Sequence, residues 1–525
     1  MSVSEEVVVI GAGIAGLATA ALLADAGHRV RVLEARDEIG GRAGSWERDG
    51  FRFDTGPSWY LMPEVFDHFF RLLGTSAEDE LDLMPLDPAY RVYSEDAAPL
   101  DVRSGVEHTA ALFEGIEPGA GARLRAYLES AREAYELAVA RFLYDSYAST
   151  RGLRHPDLLR RLPRLTRLLT RPLHRMIAAR FTDRRLQQIL GYPAVFLGGS
   201  PFEVPSLYHL MSHLDLGDAV AYPRGGFTTI IAAIARLATQ RGVVIETGAE
   251  VTRIDTAAGA VTGVRVRDAA GAERTVSASL VVGAGDLHHL ETTLLAPALQ
   301  TYPEKWWQRR TPSPGALLLM LGVRGELPEL AHHTLLFTRE WRANFEAIFG
   351  DDPRVPAPAS LYICRPSASD DAVAPPGHQN LFVLVPMPAD TRLGRGGIDA
   401  DGHPAVERAA DEVIAQIAAW TGVSDLADRI VVRRTVAPAD FAADLRTWRG
   451  NSLGLAHTLR QSALFRPKNA SRRVRGLYYA GADVLPGIGL PMCLISAELV
   501  AKRVAGDRGA GRMPESRADR VRAGS

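Results

Sequence analysis

Residues Val7 to Arg42 read VVVIGAGIAGLATAALLADAGHRVRVLEARDEIGGR, and no other stretch restricts the fold as tightly. The β-branched run Val7 to Ile10 predicts a buried strand. Gly11, Gly13 and Gly16 follow at the spacing that allows a tight turn, close backbone approach to a pyrophosphate, and close packing of strand on helix. A helix from about Ile14 to Ala26 would point its free N–H groups and positive end at that phosphate. Gly27 closes the helix, and Arg29 to Leu33 predicts a second strand. Glu34 falls near the ~20-residue offset at which a carboxylate accepts from ribose hydroxyls. An acid there disfavours a 2′-phosphate. The run Val7 to Ala24 is also uncharged and long enough to suggest a membrane span or signal peptide. The glycine spacing, the strand-like start and the acidic Glu5 and Glu6 ahead of it favour a buried βαβ unit.

With 525 residues the chain exceeds the size at which one core keeps growing, so two or three domains are expected. Its 60 basic and 62 acidic residues nearly cancel, which gives no general affinity for polyanions, and no nucleic-acid partner is expected. Only Cys364 and Cys493 are present, far apart, which excludes a disulfide framework or a cysteine metal site on this reading and makes the cytoplasm the default compartment. The 14 histidines show no metal-ligand spacing. Pairs such as His288 with His289 and His332 with His333 are expected to cap or line surfaces, and no metal is expected.

At the far end, Gly476 to Asp483 reads as a short strand entering a glycine turn with an acid at its tip. Pro486 to Cys493 follows, then an apolar helix, Leu494 to Val504. A helix starting near Pro491 would aim free N–H groups at a redox ring where negative charge develops.

Gly40-Gly41-Arg42 after the second strand is similar to the flavoprotein family of amine oxidases and carotenoid desaturases. Further carriers are Phe53 to Pro57, Tyr222 to Phe227, Ser369 to Gly377 with Leu381 to Pro388, Thr458 to Pro467 with Asn469, and Pro486 to Pro491. Over nearly its whole length the chain resembles FAD-dependent carotenoid desaturases of the bacterial and archaeal phytoene desaturase type. It departs from that pattern at Asp483-Val484-Leu485, where many desaturases carry Gly-Thr-His, and at Met492-Cys493, where they carry Gly-Val. Leu485 and Met492 make the ring's surroundings more apolar.

The resemblance implies FAD contacts from Gly11, Gly13, Ala15 and Gly16, from Glu34, Ala35 and Arg36, and from Gly41 and Arg42. Gly56, Pro57 and Ser58 would follow, Val251 would meet adenine through its backbone, and Gly481, Asp483, Gly489, Leu490, Pro491 and Met492 would close the site. It implies removal of a hydride to flavin N5 and of a neighbouring proton from a C40-type polyene, with oxygen or a quinone as terminal acceptor. No proton acceptor is legible; Arg224 and Asp483 are the nearest candidates. A carotene cis-trans isomerase of the same fold, an amine oxidase-like enzyme on a polar substrate and a non-catalytic flavoprotein scaffold are the alternative readings.

From Arg151 to Arg185 the chain carries eleven arginines against two aspartates. Leu158, Leu159, Leu162, Leu165, Leu169, Leu173, Met176 and Ile177 recur at helical spacing between them, in helices broken at Pro163 and Pro172. Such basic amphipathic helices suit a membrane surface, from which a water-insoluble polyene would be drawn. The expected architecture is α/β. A discontinuous Rossmann-like FAD domain (1–88, 212–290, 471–505) carries a helical, membrane-associating lid (89–211) and a mixed-sheet substrate domain (291–470), before a disordered tail (506–525). The expected place is the inner face of the cell membrane, peripherally. Apolar strands Ala316 to Val323, Thr334 to Phe337, Leu361 to Cys364 and Leu381 to Val385 would wall the substrate site, with Tyr192, Phe196, Tyr208 and Met211 on its helical side.

Overall fold

The structure, a computed structural model, describes residues 6–147, 156–217 and 219–516, with residues 156–160 described by backbone alone. Five parallel strands form its nucleotide-type sheet in the order Leu477–Tyr479, Leu280–Gly283, Glu6–Ile10, Arg29–Leu33 and Val244–Glu246. Both faces are covered at the middle of the sheet, which is why Glu6–Ile10 and Leu280–Gly283 are nearly unbroken Val, Ile and Leu. Val7 and Val9 meet the helices Ile14–Asp25, Thr228–Gln240 and Leu490–Val504. Val8 meets an antiparallel sheet of Ala249–Ala257, Ala260–Asp268 and Glu273–Ser277. The first helix is buried on almost every side, so it carries no polar face.

A seven-stranded mixed sheet forms the second layer, ordered Ile430–Val436, Gly315–Arg324, His378–Met387, Leu361–Cys364, His333–Phe337, Tyr90–Ser94 and Ala97–Val102. In Gly315–Arg324 the alternating side chains separate two apolar environments. Leu317, Leu319 and Leu321 pack on the helix Pro404–Thr421, whereas Ala316 and Leu318 turn to the opposite face. Helices Val106–Ile116, Ala120–Ala138, Pro156–Thr170, Leu173–Ala178 and Arg184–Gly191 cover that opposite face.

Several expectations change. The region 89–211 does not begin as helix, because Tyr90–Ser94 and Ala97–Val102 form a hairpin on the edge of the substrate sheet, held by parallel pairing of Tyr90–Ser94 with His333–Phe337. The helix Pro156–Thr170 runs through Pro163. Pro163 is exposed, so water can satisfy the carbonyl it leaves without a donor. Leu173, Met176 and Ile177 are core residues; among the leucines of this run whose side chains are described, Leu162, Leu165 and Leu169 are left to face outward. Arg151 and Arg154 lie outside the described residues. Part of the tail is also held in place: Lys502 donates to the carbonyls of Gly509 (2.6 Å) and Gly511 (2.7 Å), and His68 bridges Glu498 (3.1 Å) and Glu515 (3.0 Å). Residues 517–525 lie outside the described residues.

Under the helical layer, Asp215 accepts from Tyr192 (2.8 Å) and Tyr90 (3.1 Å) while only 3 % exposed. Burial raises its pKa from 3.8 to about 7, partly opposed by the two tyrosine hydrogen bonds. A carboxyl whose folded pKa lies above its unfolded value adds stability that is complete below the unfolded pKa and lost as pH rises through the folded one. Asp215→Asn is therefore expected to flatten the fall in stability between pH 3.8 and about 7. Urea midpoints across that range check this, and an undiminished fall in the variant would refute it.

Candidate cofactor and substrate site

The carboxyl ends of the parallel strands all open on one side, where the connecting turns form a cradle. Gly11 turns the chain at φ 101°, and the helix Ile14–Asp25 starts two residues after Ala12 with no side-chain cap, which leaves its first N–H groups facing the cradle. A Cβ on Gly16 would stand 2.0 Å from the Gly11 carbonyl oxygen, so this glycine sets how closely helix and turn approach. Glu34 is held by the N–H groups of Ala12 (2.7 Å) and Arg36 (3.0 Å), with oxygen lone pairs to spare. Gly40 donates to the Ala12 carbonyl, which carries Gly41 and Arg42 back over the turn. Gly56 lies flush on Arg42, since a Cβ there would meet the Arg42 carbonyl oxygen at 1.9 Å.

Two strand-end turns built alike, Ala284-Gly285-Asp286 and Gly481-Ala482-Asp483, set two acids side by side because their strands are neighbours. Asp286 accepts from the N–H groups of His289 and Trp448, and Asp483 from those of Leu455 and Leu287. Burial raises the Asp286 pKa to about 7, and the Asp483 charge adds to this while Arg42 opposes it. The buried Arg466 fixes the second turn by donating to the carbonyls of Ala482, Val484, Leu455 and Gln461. Beyond it, the helix Leu490–Val504 begins with Gly489 at φ 119° and brings its positive end to the cradle.

One cavity of about 920 Å³ joins this cradle to the apolar face of the seven-stranded sheet. Gly11, Gly13, Ala15, Glu34, Ala35, Arg36, Gly41, Arg42, Gly56, Pro57, Ser58, Val251, Gly481, Asp483, Gly489, Leu490, Pro491 and Met492 all line it. Gly16 lies behind them, as its packing role requires. Past Leu485 and Met492 the walls are Leu318, Leu335, Phe337, Phe382 and Leu384 from the sheet and Tyr192, Phe196, Tyr208 and Met211 from the helical side. Trp59 crosses between them, stacked on His333 with ring centroids 4.4 Å apart. Leu169, Leu459, Leu464 and Phe465 line the cavity yet are exposed, Phe465 by 57 %, which places them at its mouth.

One candidate leaves the site. Arg224 pairs on the surface with Asp82 (2.9 Å) and does not line the cavity, so it is withdrawn as a proton acceptor. Its loop, Tyr222 to Phe227, stands one layer back, where Asp54 accepts from Phe227 N and Asp370 from Gly225 N. His332 and His333 neither cap nor line a surface, being 4 % and 0 % exposed within the substrate layer. Asp286, Trp59 and Arg466 were missed. Asp286 had a readable signal, because Gly283-Ala-Gly-Asp286 repeats the strand–glycine–acid order of residues 479–483.

Residues 14–505 match the family model described as flavin containing amine oxidoreductase. The chain belongs to that family. Within it, the chain is 42 % identical to the carotenoid 3,4-desaturase of Haloarcula japonica, over 96 % of this chain and 98 % of the relative. It is 36 % identical to the zeta-carotene-forming phytoene desaturase of Myxococcus xanthus, over 95 % and 93 % of the two chains. Among solved structures, putrescine oxidase bound to putrescine shares the fold with a TM-score of 0.59 at 17 % identity, over 96 % of this chain and 99 % of that one.

The cofactor is FAD, and this flavoprotein's cradle fits it. Arg42 Nε and Nη2 are buried without a partner, as expected of a guanidinium that answers a phosphate. Ideal Cβ atoms on Gly13 and Gly481 would meet nothing closer than 3.9 and 3.8 Å, and one on Gly285 nothing within 4 Å, so three backbone approaches stand open toward the cavity.

Proposed function

We propose that the chain is an FAD-dependent carotenoid desaturase that takes a C40-type polyene from a lipid surface and introduces conjugated double bonds. The observation that carries this reading is the cavity of about 920 Å³, whose walls beyond the cradle are mostly apolar and whose rim carries exposed Leu169, Leu459, Leu464 and Phe465. The substrates named for the Haloarcula and Myxococcus relatives are of the same class. A hydrocarbon offers no polar handle, so selectivity must come from shape and from exclusion of water.

The residues divide that work. Glu34 and Val251 hold the adenosine end, Gly11, Gly13 and Arg42 the pyrophosphate, and Asp483 the hydroxyl-bearing chain between pyrophosphate and ring. Gly489 to Met492 present the helix end to the ring, Leu485 and Met492 keep its surroundings dry, and Phe382, Leu384, Tyr192 and Phe196 align the polyene. FAD bound there supplies the two-electron acceptor. Asp286 and Asp483 are the acids of that cavity wall, and Asp483 is the candidate proton acceptor in this reading.

The helix Pro156–Thr170 and the loop 459–465 form the membrane-facing rim, with exposed Arg161, Arg167 and Arg460 beside the exposed leucines. No helix among the described residues is long and apolar enough to cross a membrane, so the attachment is peripheral in this reading. Incubation of the purified protein with phytoene or a partly desaturated carotenoid in anionic liposomes, with oxygen or a quinone as acceptor, tests both parts. Products two mass units lighter per step, with red-shifted spectra, are expected. Products of unchanged mass would establish isomerisation instead. Phe465→Asp with Leu459→Asp should lower vesicle partitioning on the order of tenfold or more while bound flavin is retained.

A further inference from the structure

Behind the cavity wall at Ser58 and Trp59, three potential metal ligands come together. His333 and Cys364 are register partners on adjacent antiparallel strands, so their side chains share a face, and His332 immediately precedes the first of them. One ring nitrogen of each histidine and Cys364 Sγ lie within 4.8 Å of one another. All three residues are buried, at 4, 0 and 2 % exposure.

The hydrogen bonding around them is asymmetric in an informative way. His333 Nδ1 is engaged by the Tyr362 hydroxyl (2.8 Å), which also contacts Ser58 Oγ (2.7 Å), and His332 Nδ1 is engaged by Ser369 Oγ (3.0 Å). Both Nε2 atoms are buried with no partner. Two buried imidazole nitrogens left without partners are costly unless something answers them, while Cys364 Sγ meets the Ser58 and Tyr362 hydroxyls. An imidazole oriented through one nitrogen and free at the other is the usual arrangement of a metal ligand.

We propose that His332, His333 and Cys364 bind a thiophilic divalent cation, zinc foremost. The donors would close from 4.8 Å to about 3.5 Å apart, the spacing of tetrahedral zinc ligands, which ring rotation supplies. Uptake exchanges the Cys364 thiol proton for a Zn–S bond, releases that proton to solvent and changes no oxidation state. Asp370 near His332 and Asp54 near Cys364 favour a cation and Arg365 opposes it, while burial pushes the Cys364 thiol up to about 12, so the metal itself must displace that proton. The ion would tie two strands together behind Trp59 and Tyr362 and so stiffen the floor of the ring pocket.

The test uses untagged, flavin-loaded protein from zinc-supplemented cells after dialysis against a chelator. One zinc per chain is expected, with X-ray absorption showing one sulfur at about 2.3 Å and two nitrogens at about 2.0–2.1 Å. Cys364→Ala and His332→Gln should each lose the zinc while keeping the flavin spectrum. Wild-type protein holding no more zinc than Cys364→Ala would overturn the proposal and leave water as the occupant. If neither variant folds, cobalt-grown wild-type protein decides the matter: thiolate-to-cobalt charge transfer and tetrahedral d–d bands support the site, and their absence overturns it.

Discussion

Arg466→Met is expected to remove about 3–5 kcal/mol of folding stability and most of the bound flavin with it. Arg466 is 1 % exposed, and its guanidinium donates to four backbone carbonyls on two segments, Leu455 and Gln461 on one side and Ala482 and Val484 on the other. Methionine fills a similar volume but leaves those carbonyls buried and unsatisfied. The turn carrying Asp483 would then loosen, and the FAD dissociation constant should rise on the order of tenfold or more, since each tenfold is only about 1.4 kcal/mol. Arg466→Lys keeps the charge but lacks the planar fork that spans both segments, so it should recover less than half the loss. Denaturant midpoints and flavin titration check both variants, and a methionine variant as stable as wild type would show that the four contacts carry no weight.

Gly13→Ala and Gly16→Ala should separate binding from folding. Gly13 has φ −73°, which any residue adopts, and its Cβ would find nothing nearer than the Gly40 oxygen at 3.9 Å. The added methyl therefore points into the cradle, where the pyrophosphate belongs. Flavin-free Gly13→Ala is expected to melt like flavin-free wild type yet bind FAD about 100-fold more weakly, roughly 2.7 kcal/mol. The Gly16 methyl instead meets the Gly11 carbonyl oxygen at 2.0 Å and the Ala284 side chain at 3.2 Å. Helix and turn must separate by about 1 Å, so stability and flavin should be lost together. Thermal melts of stripped protein beside FAD titrations distinguish the two outcomes, and equal destabilisation in both variants would contradict this division.

Legibility followed the range of the interactions. Val7 to Arg42 could be read outright because its strand, turn, helix and acid contact one another locally. Gly481, Asp483 and Gly489 to Met492 could be read because they form a second local glycine–acid–helix unit, although only the parallel pairing of Leu280–Gly283 with Leu477–Tyr479 brings that unit to the first. Asp286 carries the same local strand–glycine–acid signal, but its place beside Asp483 depends on the pairing of two strands nearly 200 residues apart. The hairpin 90–102 is not legible as strand, since its place in the sheet rests on Tyr90–Ser94 pairing with residues some 240 positions later. Arg466 was invisible for another reason: its partners are main-chain carbonyls, which every residue possesses. The arginine run 151–185 misled in part because leucines at helical spacing read alike whether the neighbour is lipid or protein, and Leu173, Met176 and Ile177 have a protein neighbour.

The strand order also governs how this chain can be made. Glu6–Ile10 lies mid-sheet, and the outer place beside Leu280–Gly283 is filled only by Leu477–Tyr479. While the ribosome is still adding residues 284–476, the nascent polypeptide holds a half-built nucleotide fold with an open strand edge and an incomplete flavin pocket. Flavin capture must therefore wait until translation is almost finished, and a slow or stalled ribosome would leave that edge open to aggregation throughout the delay.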